Sequence, residues 1–171
     1  MSNLIQAINR FDRNLFLTFN QSQSVRFNKL IFAITKLGGL CFQSSIVITL
    51  LLIPATHRLG MRLAIAQVVI AAVVQVIKAI VARVRPYNAL TGIIPFKMER
   101  DYSFPSGHTA ASFGTALIVT ATFAISGILC FGLAMCIGLS RIYIGVHYPT
   151  DVIAGGLIGL GITSVLICGL I

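Results

Sequence analysis

Acidic side chains are scarce. Four Asp and Glu face thirteen Lys and Arg in 171 residues, and charged residues of both signs make up 10% of the chain. A soluble domain carries about 25%. This chain cannot cover a water-facing surface with so few, so it reads as an integral membrane protein. Cysteine is equally sparse. Cys41, Cys130, Cys136 and Cys168 lie in apolar stretches without the C-x-x-C spacing of a metal site. They read as small packing residues. No basic run or aromatic-rich basic face is present, which argues against a nucleic-acid partner despite a net charge of +9. In a membrane protein that charge suggests anionic head groups or an anionic substrate. No internal repeat and no low-complexity segment stands out. Residues 2–20 lack the small-residue cleavage site of a signal peptide.

What the chain does have is apolar sequence: 57% is hydrophobic, with a mean hydropathy of +0.94. Its length fits one domain, residues 1–171. Leu4, Ile5, Ile8, Phe11, Leu15 and Phe19 recur at helical spacing, with Asn9, Arg10, Arg13 and Asn14 between them. Residues 1–24 are therefore expected to form an interfacial amphipathic helix that ends in a polar break. Residues 28–171 are expected to form an all-α, multi-span transmembrane bundle. Its five spans fall at about 28–53, 61–82, 106–125, 128–143 and 150–170, lengths suited to a ~30 Å hydrocarbon core.

Several punctuating residues shape these expectations. Gly38 and Gly39 are expected to kink the first span. Pro54 and Gly60 should bracket a short loop holding His57 and Arg58, and Ser126 and Gly127 should make a tight turn. The last span carries Gly155, Gly156, Gly159 and Gly161, a spacing that lets helix backbones approach closely. Packing inside the monomer and a homodimer through this helix are both open uses.

Five spans put the end of the second and fourth, and the start of the third and fifth, on one side of the membrane. Three polar stretches meet there. Lys78 and Arg85 stand seven residues apart before Pro86, close to two helical turns. They read either as phosphate-binding cations or as snorkelling residues at a helix end. Phe104 to Thr109, FPSGHT, opens the third span. Ser106 and Gly107 present backbone amides at a helix N-terminus, an anion site, with His108 in the first turn. The plainer reading is a Ser cap beside an incidental histidine. Ser140 to Asp151, SRIYIGVHYPTD, holds Arg141, His147 and Asp151. On a helix, Asp151 would share a face with His147 and could accept one imidazole proton, which leaves the other nitrogen free to attack. The plainer reading is an interfacial histidine and an Asp cap on the next helix. Three cations, helix amides, a nucleophile and an acid on one side compose a phosphate site without metal.

K-x6-RP at 78–86, PSGH at 105–108 and SR-x5-H-x3-D at 140–151 together resemble the three-part signature of the type 2 phosphatidic acid phosphatase family. All signature positions match in order; residues before about 59 carry none of them. The resemblance implies that His147 is the nucleophile and forms a phosphohistidine, that Asp151 orients it, and that His108 protonates the leaving group. It implies that Lys78, Arg85, Arg141 and the amides near Ser106 and Gly107 hold the phosphoryl oxygens. It implies no metal and no cofactor. The partners are then a lipid phosphate substrate and membrane lipids. The expected activity is hydrolysis of a phosphate monoester or pyrophosphate of a lipid, of the phosphatidic acid or phosphatidylglycerophosphate type. Undecaprenyl pyrophosphate is the alternative; such members often carry Asp where Gly107 stands. A non-enzymatic anion transporter or lipid-binding membrane protein is the alternative from another class, and it would not need the His147–Asp151 pair.

Sidedness pulls two ways. Bacterial relatives in this family act at the outer face of the cell membrane, which the resemblance implies here. Arg10, Arg13, Arg26, Lys29, Lys36, Lys97 and Arg100 map to the site's side against Arg58 and Arg62 opposite, and that bias points to the cytoplasm.

Overall fold

The computed structural model describes residues 2–21, 25–93, 95 and 98–169, with side chains described from residue 6 onward except 21, 25 and 26. The expectations for Leu4, Ile5, Arg26 and Lys97 fall outside those side chains. Among the described residues every regular element is helical: α1 (Ser2–Gln21), α2 (Val25–Leu37), α3 (Leu40–Leu52), α4 (His57–Val81), α5 (Pro86–Ala89), α6 (Gly107–Thr122), α7 (Ala124–Tyr143) and α8 (Pro149–Gly169).

α6 runs through the middle of the bundle, against α4, α7 and α8. Small residues bring the backbones together. A Cβ at Gly155 or Gly159 of α8 would run into the carbonyl oxygens of Ser106 and Ala110, and one at Gly114 would meet Ile70 at 2.5 Å and Thr163 at 2.9 Å. These α8 glycines thus pack inside the chain, while a Cβ at Gly161 would meet nothing outside its own helix within 4 Å. The buried positions of α4 are Gly60, Leu63, Ala66, Ile70, Val74 and Lys78, a stripe at helical spacing whose last member is a cation. Leu63, Ala66, Ile118 and Leu166 form one apolar cluster; Ile70, Val74 and Ala110 form the next toward the site. Ile80, Ile125, Leu129 and Leu157 are exposed, an outer surface suited to lipid.

Three segments are long and apolar enough to span a membrane: Pro54–Ala89, Ala124–Tyr143 and Pro149–Gly169. A fourth exists if α2 and α3 count as one span, bent by 49° at the break where Gly38 and Gly39 were expected to kink it. The sixteen residues of α6 reach about 24 Å at 1.5 Å per residue, short of a ~30 Å core. The chain is a multi-pass, all-helical membrane protein.

Local boundaries differ from the sequence reading in three places. His57 and Arg58 belong to the first turn of α4, because a single 3₁₀ turn, Pro54–Thr56, closes the corner. Thr56 Oγ1 donates to the Leu50 carbonyl at 3.0 Å, and His57 Nδ1 lies 2.8 Å from the Leu51 carbonyl oxygen, which satisfies the end of α3. Ser126 and Gly127 sit inside α7; the corner is Phe123 alone, with φ −138° and ψ 88°. Gly127 lies directly on Thr120, and that close approach lets the chain reverse over one residue. Among the described side chains of α1, Asp12 and Phe16 are fully buried, while Ile8 and Phe11 are exposed. Phe16 packs on Tyr148 and Ile142, so α1 docks on the bundle through a face that includes a carboxylate.

Candidate active site

Helix ends bring the three polar stretches together. α4 stops at Ala82, whose left-handed conformation (φ 48°, ψ 37°) returns its N–H to the Lys78 carbonyl at 2.9 Å. Lys78 stays on the helix, and Arg83 and Arg85 leave it in different directions. Pro86 then starts α5 at the position where a missing N–H costs nothing. Between α7 and α8 the chain turns through Gly145, whose φ of 85° suits a residue without Cβ. That turn carries His147 to the mouth of the bundle, where its N–H donates to the Arg141 carbonyl at 3.3 Å.

A cavity of about 680 Å³ opens there. Lys78, Arg85, Gly107, His108, Arg141 and His147 line its polar end. Its other end runs between α3 and α4 past Val47, Ile48, Val68 and Ile70, an apolar passage continuous with the polar site. Of the eight residues singled out from sequence, six face this cavity. Ser106 and Asp151 stand behind it, both fully buried. The Ser106 hydroxyl accepts from Thr109 Oγ1 at 2.9 Å and caps α6. Its amide donates to the Asp151 carbonyl at 2.9 Å, which ties the start of α6 to the start of α8. Gly107 remains open toward the cavity, with only a Val74 methyl, at 3.6 Å, near the position of an added Cβ.

His147 precedes α8 and does not share a helical face with Asp151. The two still meet: Nδ1 lies 3.6 Å from Asp151 Oδ2, longer than a hydrogen bond. The same Oδ2 accepts the Tyr148 N–H at 2.8 Å, one half of a capping box, so the plain role of Asp151 as a cap and its nearness to His147 coexist. Nε2 faces Arg85 Nη1 at 3.5 Å. Burial of the ring, and then the charges of Arg141, Arg85 and Lys78, push the His147 imidazole well below its ordinary pKa; a hydrogen bond with the Ser103 backbone opposes them. Burial and the cations thus both favour the neutral ring.

Every acid of the chain lies at this site or directly behind it. Asp101 pairs with both Lys78 and Arg85, and Glu99 Oε1 accepts from Arg141 Nη2 at 3.2 Å. Arg141 also donates to Thr35 Oγ1 at 3.1 Å, and Arg85 to the Val146 carbonyl at 2.9 Å. Burial would raise the Asp101 carboxyl, but its bonds to Lys78 and Arg85 outweigh that and hold it below its ordinary pKa. Asp12 and Asp151 are both paired with Arg83 at 2.6 Å. Sequence reasoning missed Asp12, Arg83, Glu99 and Asp101 as site neighbours. For the acids the signal was scarcity: a membrane chain with only four of them places each where a cation needs a partner.

The PAP2 superfamily profile matches residues 59–170, from the start of α4 to the end of α8. The chain is 32% identical over 151 residues to an undecaprenyl-diphosphatase of Sulfolobus acidocaldarius, an alignment covering 87% of this chain and 73% of that one. It superposes on the crystal structure of Aquifex aeolicus LpxE with a TM-score of 0.83 at 26% identity, over 92% of this chain and 95% of the other. On a transmembrane PAP2-type phosphatidylglycerolphosphate phosphatase from Bacillus subtilis the TM-score is 0.82 at 22% identity, over 95% and 85%, a likeness of fold. A profile match over most of the chain, a relative similar along most of both lengths, and the meeting of all three signature stretches around one cavity make this chain a member of the PAP2 superfamily.

Proposed function

We propose that the chain is a membrane lipid phosphatase that hydrolyses a phosphate monoester or pyrophosphate of a lipid without a metal. The observation that carries it is the meeting of a buried His147 with three cations and His108 around one cavity that continues into an apolar passage. The lipid head takes the polar end and its tail leaves between α3 and α4. Lys78, Arg85, Arg141 and the Gly107 amide hold the phosphoryl oxygens and offset the charge that builds on them. His147 Nε2 forms a bond to phosphorus as the bond to the leaving oxygen breaks. His108 donates its proton to that oxygen. Water, deprotonated by His108, then attacks the phosphohistidine and releases phosphate. Asp151 holds the Nδ1 side of the ring through the charge that develops there.

The whole chain forms one phosphatase domain. The bent α2–α3 pair, α4, α6, α7 and α8 make five spans, with α1 at the interface and the site at the outer face. A glycerophospholipid phosphate is the substrate this reading favours, on the strength of Gly107. Undecaprenyl pyrophosphate is the second reading, favoured by the similarity to the Sulfolobus enzyme along most of the chain. The test is phosphate release by purified protein in detergent, with EDTA present, from phosphatidic acid, phosphatidylglycerophosphate and undecaprenyl pyrophosphate at equal surface concentration. Release that survives EDTA and disappears in His147→Ala is the expected result. No release from any of the three, or release that needs added Mg²⁺, overturns the proposal, and the ranking decides between the two lipid classes.

A further inference from the structure

Asp151 is held from behind by a second ion pair that reaches into α1. Arg83 Nη1 donates to Asp151 Oδ1 at 2.6 Å, and Arg83 Nη2 donates to Asp12 Oδ2, also at 2.6 Å. Asp12 Oδ1 accepts the Thr150 N–H at 2.9 Å. The Thr150 hydroxyl closes the ring: it accepts from Arg83 Nη1 at 2.8 Å and donates to Asp12 Oδ2. The guanidinium lies over the Tyr148 ring, 4.2 Å from its centroid. Asp12 is 1% exposed and Asp151 0%. A carboxylate buried so far from its neighbours in sequence is costly unless paired and hydrogen-bonded. Here each is.

We infer that Asp12 and Arg83 are positioning residues for the His147–Asp151 pair. With Oδ1 taken by Arg83, Asp151 can turn only Oδ2 toward the Tyr148 N–H and the His147 Nδ1 edge. The guanidinium plane is itself set by Asp12 and Thr150, because a planar fork binds two carboxylates only in one orientation. Charge points the same way. A lone Arg83 would neutralise Asp151 and weaken its hold on the imidazolium that forms as His147 attacks. Asp12 balances the guanidinium, so the cluster of two carboxylates and one arginine keeps a net negative charge beside the ring. The nucleophilic histidine is thus backed by a line Asp151–Arg83–Asp12 that runs from the start of α8 across the end of α4 into α1. Neither Asp12 nor Arg83 lines the large cavity; a second, smaller cavity of about 250 Å³, lined by Asn9, Arg13, Arg83 and Tyr148 among others, reaches Arg83.

The inference rests on the phosphatase reading, and the experiment separates the two. Wild type, His147→Ala, Asp12→Asn and Arg83→Ala are purified in detergent. Each is checked for a monodisperse gel-filtration profile and a cooperative melting transition, then assayed for kcat and KM on a lipid phosphate and on p-nitrophenyl phosphate, with and without guanidinium chloride at tens of millimolar. Expected for Arg83→Ala is a kcat about 10²-fold below wild type on both substrates with KM within about twofold, since about 1 Å of misplacement costs that much. Added guanidinium, entering through the smaller cavity, should recover about tenfold. The isosteric Asp12→Asn should lose about tenfold in kcat alone. Wild-type kcat in Asp12→Asn, or a loss in Arg83→Ala that sits in KM or that guanidinium leaves untouched, overturns the inference while wild type still releases phosphate. Absence of release by wild type overturns the phosphatase reading instead. If Arg83→Ala does not fold, Asp12→Asn decides.

Discussion

Gly155→Ala should damage catalysis from outside the cavity. Gly155 is one turn beyond Asp151 on α8, and an added Cβ would overlap the Ser106 carbonyl oxygen while standing 3.3 Å from the Ser106 carbonyl carbon and from Thr109 Cβ. Backbone cannot swing aside as a long side chain can. Relief therefore requires the start of α6 to move off α8 by about 1 Å, a displacement that costs about 10² in rate where reacting groups must align. The 2.9 Å bond from the Ser106 amide to the Asp151 carbonyl breaks, and His108 is carried away from His147. Overpacking of this kind costs ~1–3 kcal/mol in stability. Gly161→Ala is the control, since a Cβ there would meet nothing outside its own helix within 4 Å and a helical Ala is favoured by up to ~1 kcal/mol over Gly. The assay is kcat on a lipid phosphate together with melting temperature in detergent. Gly155→Ala should fall 10- to 100-fold, by roughly the factor above, and melt lower; Gly161→Ala should match wild type in rate and melt no lower. Wild-type rate and melting in Gly155→Ala would mean that the α6–α8 contact does not set the site.

The proposed division of labour between the histidines predicts a leaving-group effect: His147→Ala should be inactive on every substrate, whereas His108→Ala should lose on the order of 10²–10⁴ on a lipid alkoxide but much less on p-nitrophenyl phosphate. An unchanged ratio between substrates refutes the assignment. Because burial and the nearby cations depress the His147 pKa, protonation of the nucleophile shuts down the reaction only at acid pH; the acid limb of kcat/KM should lie below pH 6.5. A midpoint at or above 6.5 contradicts the burial argument. If Lys78 and Arg85 bind the phosphoryl group as proposed, Asp101 competes with substrate for them, so Asp101→Asn should bind vanadate about two- to fivefold more tightly, the scale of a partly exposed ion pair at ~0.5–1 kcal/mol. Weaker inhibition by vanadate would show that Asp101 orders the cations instead of competing for them.

The sequence by itself determined the class, the helical character and six of the residues that line the cavity. Each of these rests on local information. Apolar runs of membrane length, Gly38–Gly39 at the α2–α3 break, Pro86 and Pro105 at helix mouths, and the three signature stretches are all written within a few residues of where they act. The boundaries it misplaced, at His57 and Gly127, are those where a helix corner is closed by contacts with the preceding helix. Tertiary structure alone decided the pairings. Asp12 and Arg83 are 71 residues apart, Asp12 and Thr150 are 138 apart, and no periodicity relates them. Their meeting depends on a left-handed Ala82 that turns Arg83 off α4, and on α1 docking through Phe16. The same holds for the Ser106 amide, which the sequence offers as an anion donor and the crossing of α6 over α8 commits to the Asp151 carbonyl. Burial of charge explains the division: in an apolar bundle each carboxylate must find a cation, and which cation it finds depends on where the helix ends come to rest.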